Sequence, residues 1–197
     1  QVEIASQRQL GADASAALAA APAILGGDGE RVYFVMFTTP AEARGSGGFM
    51  GNYAEITIDD GAIAMTRFGR HSDLNRAADD PLTLDGAPPD WLLRYGPQGF
   101  AIGADARVVS DPWSIINLSP HFPSTAQVVR ELYPQSGGRH LDGVFSLDVF
   151  ALERLIGLVS PIPVEDGARQ LDATNTARYL LVDQYQFADR AGRDARV

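Results

Sequence analysis

Residues 42–70 read EARGSGGFMGNYAEITIDDGAIAMTRFGR. Two apolar, β-rich runs, Phe49 to Ile58 and Ala62 to Phe68, flank the turn Asp59-Asp60-Gly61. Asp-Gly between such runs signals a hairpin, because Gly tolerates the positive φ that the turn requires. Arg44 stands in a loop with Gly45, Gly47 and Gly48 before the first run, and Arg70 follows the second, with His71 and Asp73 just beyond. A hairpin brings its open ends together, so Arg44 and Arg70 are expected on one edge of a sheet. The expected feature is a cationic, glycine-walled mouth suited to an anion. The plainer reading is a turn with two surface arginines.

Outward from the hairpin, Arg31 to Phe37 (RVYFVMF) is a continuous apolar β run and reads as a central strand buried on both sides. Ile4 to Ala23 is rich in Ala, Leu and Gln and predicts a helix ending before Gly26-Gly27. This gives residues 1–25 as an N-terminal helix, a stalk or a packing helix, and residues 26–197 as the main domain. Arg70 to Ala106 is the least regular stretch, a lid or insertion, or a segment hiding a short helix near Asp90 to Tyr95. Arg107 to Val109 reads as a brief strand. Asp111-Pro112-Trp113 opens a helix with Asp as cap and Pro at the first position.

Further on, the turn Asn117 to Pro123 leads to Ser124, which is expected to cap a helix over Thr125 to Tyr133. Leu141 to Leu147 reads as a short buried strand, and Asp148 starts a helix over Val149 to Leu158. Pro163 to Leu171 is a small hairpin around Asp166-Gly167. Asp172 is expected to cap a helix from Ala173 to about Gln184, and Phe187 to Val197 is an Arg/Asp-rich tail. A strand meander followed by alternating strands and helices predicts an α/β fold, a mixed central sheet with helices packed on its faces.

The 197 residues, 45% of them hydrophobic and 21% charged, suffice for a real core. No run approaches the ~18 apolar residues of a membrane span. The chain opens without Met inside a helix-forming stretch, which suggests an excised fragment, with room for an anchor or a signal upstream. With no Cys, disulfides and thiolate sites are excluded. All 16 basic residues are Arg, each a planar fork suited to carboxylate or phosphate. Coding bias accounts for the missing Lys equally well. A net charge of −9 argues against nucleic acid or an anionic membrane as a non-specific partner.

His71, His121 and His140 are far apart and give no metal triad. No nucleophile elbow, phosphate loop or dinucleotide fingerprint is present. What remains is an Arg/Asp constellation: Arg44, Arg70 with Asp73, and the tail with Asp189, Arg190, Arg193, Asp194 and Arg196. Spacing puts Arg190, Arg193 and Arg196 on one side of a helix if the tail is helical. The alternative is a solvated charged end.

Two stretches carry a family resemblance. EARGSGGFMGNYAEITIDDGAI resembles the glycine-rich signature of an uncharacterised family of actinobacterial, membrane-anchored extracytoplasmic proteins, the domain of unknown function 4012. NLSPHFPSTAQVVRELY, with LDGVFSLDVFALERLIGLVSPIPV, resembles that family's second signature. The order of elements also looks like that of a diverged LytR-CpsA-Psr domain. Such proteins transfer glycopolymers from polyprenyl-pyrophosphate carriers to the cell wall outside the membrane. Arg44 stands at that family's Arg-x-Asp-Thr segment, Arg70 at its Pro-Arg-Asp segment, and the tail residues resemble its late Arg/Asp run. Gly45-Ser46-Gly47 replace the first segment's Asp, and His71 replaces the second's, with Asp73 two residues on.

The resemblance implies a LytR-CpsA-Psr-like fold and an extracytoplasmic, membrane-anchored domain whose anchor lies outside this chain. It implies binding of a polyprenyl- or sugar-linked (pyro)phosphate, with a phosphotransferase attaching glycopolymer to cell-wall glycan as the activity. Arg44, Arg70, Arg190 and Arg193 would clamp phosphates, Asp73 and Asp189 would serve as catalytic base or Mg²⁺ ligands, and the lipid would need an apolar cleft between helix 149–158 and the sheet. The alternative from another class is a non-catalytic envelope module that binds glycan or a partner protein. A purely structural spacer is a third reading.

Overall fold

Asp60 and Gly61 both take positive φ, 46° and 80°, the twisted two-residue turn that joins strands without splaying them. Around this turn the computed structural model, which describes residues 2–78, 81–99, 111–165 and 167–186, builds a four-stranded mixed sheet. Strand β1 (Arg31–Thr39) pairs antiparallel with β2 (Phe49–Asp59), and β2 pairs antiparallel with β3 (Ala62–Arg70). Strand β4 (Gly143–Asp148) lies parallel to β1 on its other side, giving the order β3-β2-β1-β4. The RVYFVMF run is thus central, as expected. Two bulges interrupt the ladders, one leaving Gly51 extra opposite Phe37/Thr38, the other leaving Thr66 extra opposite Glu55/Ile56.

Alternation along β1 divides the apolar residues between two faces. Val32, Phe34 and Met36, with Met50 and Tyr53, join the main core. Helices α2 (His71–Arg76), α3 (Pro89–Gly99), α4 (Pro112–Ile115) and α5 (Phe122–Gln135) cover this face. They contribute Leu74, Trp91, Trp113, Val128, Val129, Leu132 and Tyr133. Phe34 stacks on Tyr53 and Trp113, and Tyr133 meets it edge-on at 4.9 Å. Burial raises the pKa of the Tyr133 phenol, and the neighbouring Glu55 carboxylate adds to the effect.

The opposite face carries Tyr33, Val35 and Phe37 and is partly covered by α6 (Val149–Ile156) and α7 (Thr176–Leu181). Between these helices runs a two-stranded hairpin of β5 (Ile162–Val164) and β6 (Arg169–Leu171), and a 3-10 turn follows at Asp183–Gln186. Helix α1 (Val2–Ile24) leaves the domain exposed along its described side chains. It is tied at its end where the Tyr33 hydroxyl donates to the Ile24 carbonyl at 2.7 Å. No helix of the described residues is long and apolar enough to cross a membrane.

Several local expectations shift. The short helix expected near Asp90 to Tyr95 is present as α3, whose Trp91 enters the core, but α2 was not anticipated before it. Helix α5 starts at Phe122, so Ser124 sits inside its first turn and not at its cap. Asp172 does not cap a helix: its carboxylate accepts from the N–H and hydroxyl of Thr174, and α7 begins at Thr176. Among the described residues strand β4 lies at the sheet's edge, pairing only with β1, and Phe145 and Ser146 are exposed. The Arg107 to Val109 strand, Asp79-Asp80 and Asp166 lie outside the described residues.

Candidate functional site

The loop from Pro40 to Gly48 returns the chain from the end of β1 into β2. At Gly48 φ is +115°, and a Cβ there would collide with the Thr39 carbonyl and Pro40. At Gly45 a Cβ would collide with the Leu118 carbonyl and Pro120. The glycines therefore let the loop lie directly against the turn that precedes α5. Ser46 donates its N–H to the Asn117 carbonyl at 3.2 Å and its hydroxyl to the Ser119 carbonyl at 2.5 Å. Asn117 returns a side-chain bond to the Gly48 carbonyl. The two signature stretches of the sequence, far apart along the chain, form one structural unit.

Arg44 leans over the Phe49 ring, with Cζ 5.2 Å from its centroid, and lies 3.7 Å from the Glu42 carboxylate. The Phe49 ring in turn meets His71 edge-on at 4.8 Å, and His71 Nδ1 lies 3.3 Å from the Gly51 carbonyl. Arg70 pairs in register with Asn52, so Arg44 and Arg70 do stand at the same open end of the hairpin. Three buried polar atoms around this loop, Thr38 Oγ1, Asn117 Oδ1 and Arg44 Nε, have no hydrogen-bond partner among the described residues. Buried groups of this kind are ordinarily satisfied.

A cleft of about 380 Å³ opens beside this unit, between the second sheet face and helices α6 and α7. Phe37, Phe68, Leu147, Val149, Leu152 and Leu180 give it apolar walls. Its polar rim includes Thr38 and Thr39 from the end of β1, Asn52 opposite Arg70, and Asp148 at the end of β4. The C-terminal ends of the parallel pair β1 and β4 thus meet at the cleft, where open α/β sheets tend to bind ligands. Asp148 is occupied in capping α6, accepting from the Ala151 N–H at 2.7 Å. The cleft lies between the sheet and α6, whose Val149 and Leu152 form part of its wall.

The acids are differently placed. Asp73 accepts the Arg70 N–H at 2.8 Å and pairs with Arg76, so one oxygen serves the start of α2 and the other its last residue. No group of three His, Asp or Glu side chains among the described residues is arranged to hold a metal. Asp189, Arg190 and Arg193, with Asp194 and Arg196, lie outside the described residues. Sequence reasoning did not foresee the unbonded Thr38 Oγ1 and Asn117 Oδ1, nor the docking of the glycine loop on the 117–120 turn. Only the small and turn-forming residues common to both stretches hinted at it.

Neither a curated protein nor a solved structure matches the chain. Residues 28–185 match the family described as a protein of unknown function (DUF4012), and the span takes in the sheet, the glycine loop and the cleft. The chain belongs to that family.

Proposed function

We propose that this is an extracytoplasmic cell-envelope domain, diverged from a LytR-CpsA-Psr-like ancestor, that binds a polyprenyl- or sugar-linked (pyro)phosphate. The supporting observation is the apolar cleft opening at the hairpin end that carries Arg44 and Arg70. In this reading the lipid chain occupies the cleft against Phe37, Phe68 and Leu152, and the phosphate sits at the mouth. The guanidinium of Arg44, backed by Phe49, supplies planar donors to it, and Arg70 supplies a second positive charge. Membrane anchorage outside this chain and cell-wall glycan as acceptor belong to the same proposal. With a net charge of −9, nucleic acid is a poor partner.

A second reading, a binding module without transferase activity, is favoured by one observation: Asp73 is committed to Arg70 and Arg76. Both readings share the binding step, which a thermal-shift titration with a short polyprenyl pyrophosphate tests. Ligand at about 100 times its dissociation constant adds ~2.7 kcal/mol, a rise of roughly 5–10 °C at this chain length. A rise that depends on added Mg²⁺ supports transfer, and a metal-independent rise supports the binding module. No rise, or a rise unchanged in the Arg44→Ala/Arg70→Ala variant, overturns the site.

A further inference from the structure

Of the thirteen described residues that line the cleft, Asp148 alone bears a formal charge, and Phe37, Phe68 and Tyr185 supply three aromatic rings. Asp148 is half-buried where β4 hands over to α6. Its Oδ1 accepts the Ala151 N–H at 2.7 Å, while Oδ2 has no partner among the described residues. A carboxylate oxygen beside apolar walls is solvated by water. A ligand that displaces this water raises the free energy unless it brings a donor or a positive charge of its own. At this point of the cleft an anion or a bare hydrocarbon end is penalised, and an ammonium is not.

The rings favour the same choice, since an aromatic face attracts a cation within about 6 Å of its centroid. Phe37 and Phe68 lie with ring centroids 6.1 Å apart, tilted by 59°. Phe37 pairs in register with Leu147, the residue before Asp148, so its ring belongs to the carboxylate's end of the cleft. The positive charge of the hairpin stands elsewhere. Arg70 pairs with Asn52, Asn52 with Phe37 and Phe37 with Leu147, so three strand spacings, about 14 Å, separate Arg70 from β4. A net charge of −9 steers cations toward the chain as a whole.

We propose that the β4 end of the cleft is a subsite for a cationic amphiphile, a primary ammonium on an apolar chain. The ammonium donates to Asp148 Oδ2 beside the Phe37 ring, and the chain lies along Leu147, Leu152 and Leu180. This subsite shares the apolar walls with the lipid of the phosphate reading but none of its charges, and it does not depend on that reading.

Isothermal titration of the whole chain with octylammonium, 1-octanol and octanoate, three ligands that share one apolar chain, tests this. Octylammonium binds at least about tenfold more tightly than octanoate, with octanol between them. Asp148→Asn keeps the cap of α6, because Asn serves there as well as Asp, so the variant folds while the charge is gone. It brings the ratio to within about threefold. Asp28→Asn removes the same net charge from an exposed turn and leaves the ratio as in the wild type. Octanoate binding as tightly as octylammonium overturns the proposal, as does a ratio unchanged by Asp148→Asn or lowered equally by Asp28→Asn. A chain that binds polyprenyl pyrophosphate but not octylammonium overturns this subsite and leaves the phosphate reading standing.

Discussion

Phe49 and His71 meet ring to ring at 4.8 Å, one at the start of β2 and the other just past the end of β3. Through Phe49 the contact reaches Arg44, whose Cζ lies over the same ring. The aromatic ring is thus the spacer that holds a loop arginine beside the end of the hairpin. Phe49→Ala is expected to weaken binding of a polyprenyl pyrophosphate about as much as Arg44→Ala, roughly tenfold, since a guanidinium over an aromatic face gains about 0.5–2 kcal/mol of placement. Phe49→Tyr keeps the ring and is expected to bind like the wild type. Isothermal titration of the three variants checks this. Full affinity in Phe49→Ala would show that the ring does not position the arginine.

Gly48→Ala is expected to destabilise the domain by about 1–3 kcal/mol, because φ of +115° strains any side chain and the new Cβ meets backbone. Gly29→Ala is the control, with φ of +123° and nothing within 4 Å of the added carbon. Urea unfolding of both should give the larger loss at Gly48. Similar losses would mean that the close approach to Thr39 and Pro40 relaxes freely.

Glu55 is buried in the sheet, accepting the Thr66 hydroxyl at 2.7 Å and the Arg139 N–H at 3.3 Å, and it stands opposite Arg67. Arg67 lies over the rings of Tyr53 and Tyr133. Glu55→Ala removes the acceptor and leaves its donors in the core, at an expected cost of about 2–3 kcal/mol. Glu55→Gln keeps one acceptor oxygen and is expected to recover at least half of that loss. Melting temperatures read both values.

Asp172 carries the clearest pH signature. Hydrogen bonds from the Thr174 hydroxyl and then the Thr174 N–H hold its carboxyl below the usual range. A carboxylate with a depressed folded pKa stabilises the fold above its unfolded pKa, and this is lost as pH falls through the folded value. The wild type should therefore melt above Asp172→Asn at neutral pH. The gap should start to close below about pH 4, the ordinary Asp range. A gap constant down to pH 2 would exclude Asp172 as its source.

The legibility of this fold in its sequence follows the range of the interactions involved. The hairpin, the central strand and the caps at Asp111 and Asp148 rest on neighbouring residues, and all stand where the pattern put them. Asp172 and Ser124 misled because both side chains bond locally whether or not a helix begins beside them. Strand β4 looked buried because LDGVFSL is apolar, but only the sheet order places it at the margin of the described sheet. For the site, the shared end of Arg44 and Arg70 followed from hairpin geometry alone. Commitment of Asp73 to capping depends on where α2 starts, and the docking of Gly45 on Leu118 and Pro120 is a long-range fit with no periodic trace.

The extra residue at Thr66 has a consequence for how copies of this protein meet. Among the described residues strand β3 is a sheet margin, with no strand paired to its outer row of N–H and C=O groups. Because Thr66 is looped out and bonded to Glu55, Met65 and Phe68 share a face although three positions separate them. A straight strand from another molecule alternates strictly, so it can match the faces of β3 on one side of Thr66 or on the other, never both. The margin can leave Ile63 and Met65 uncovered and still resist the strand-by-strand templating that turns such edges into fibrils.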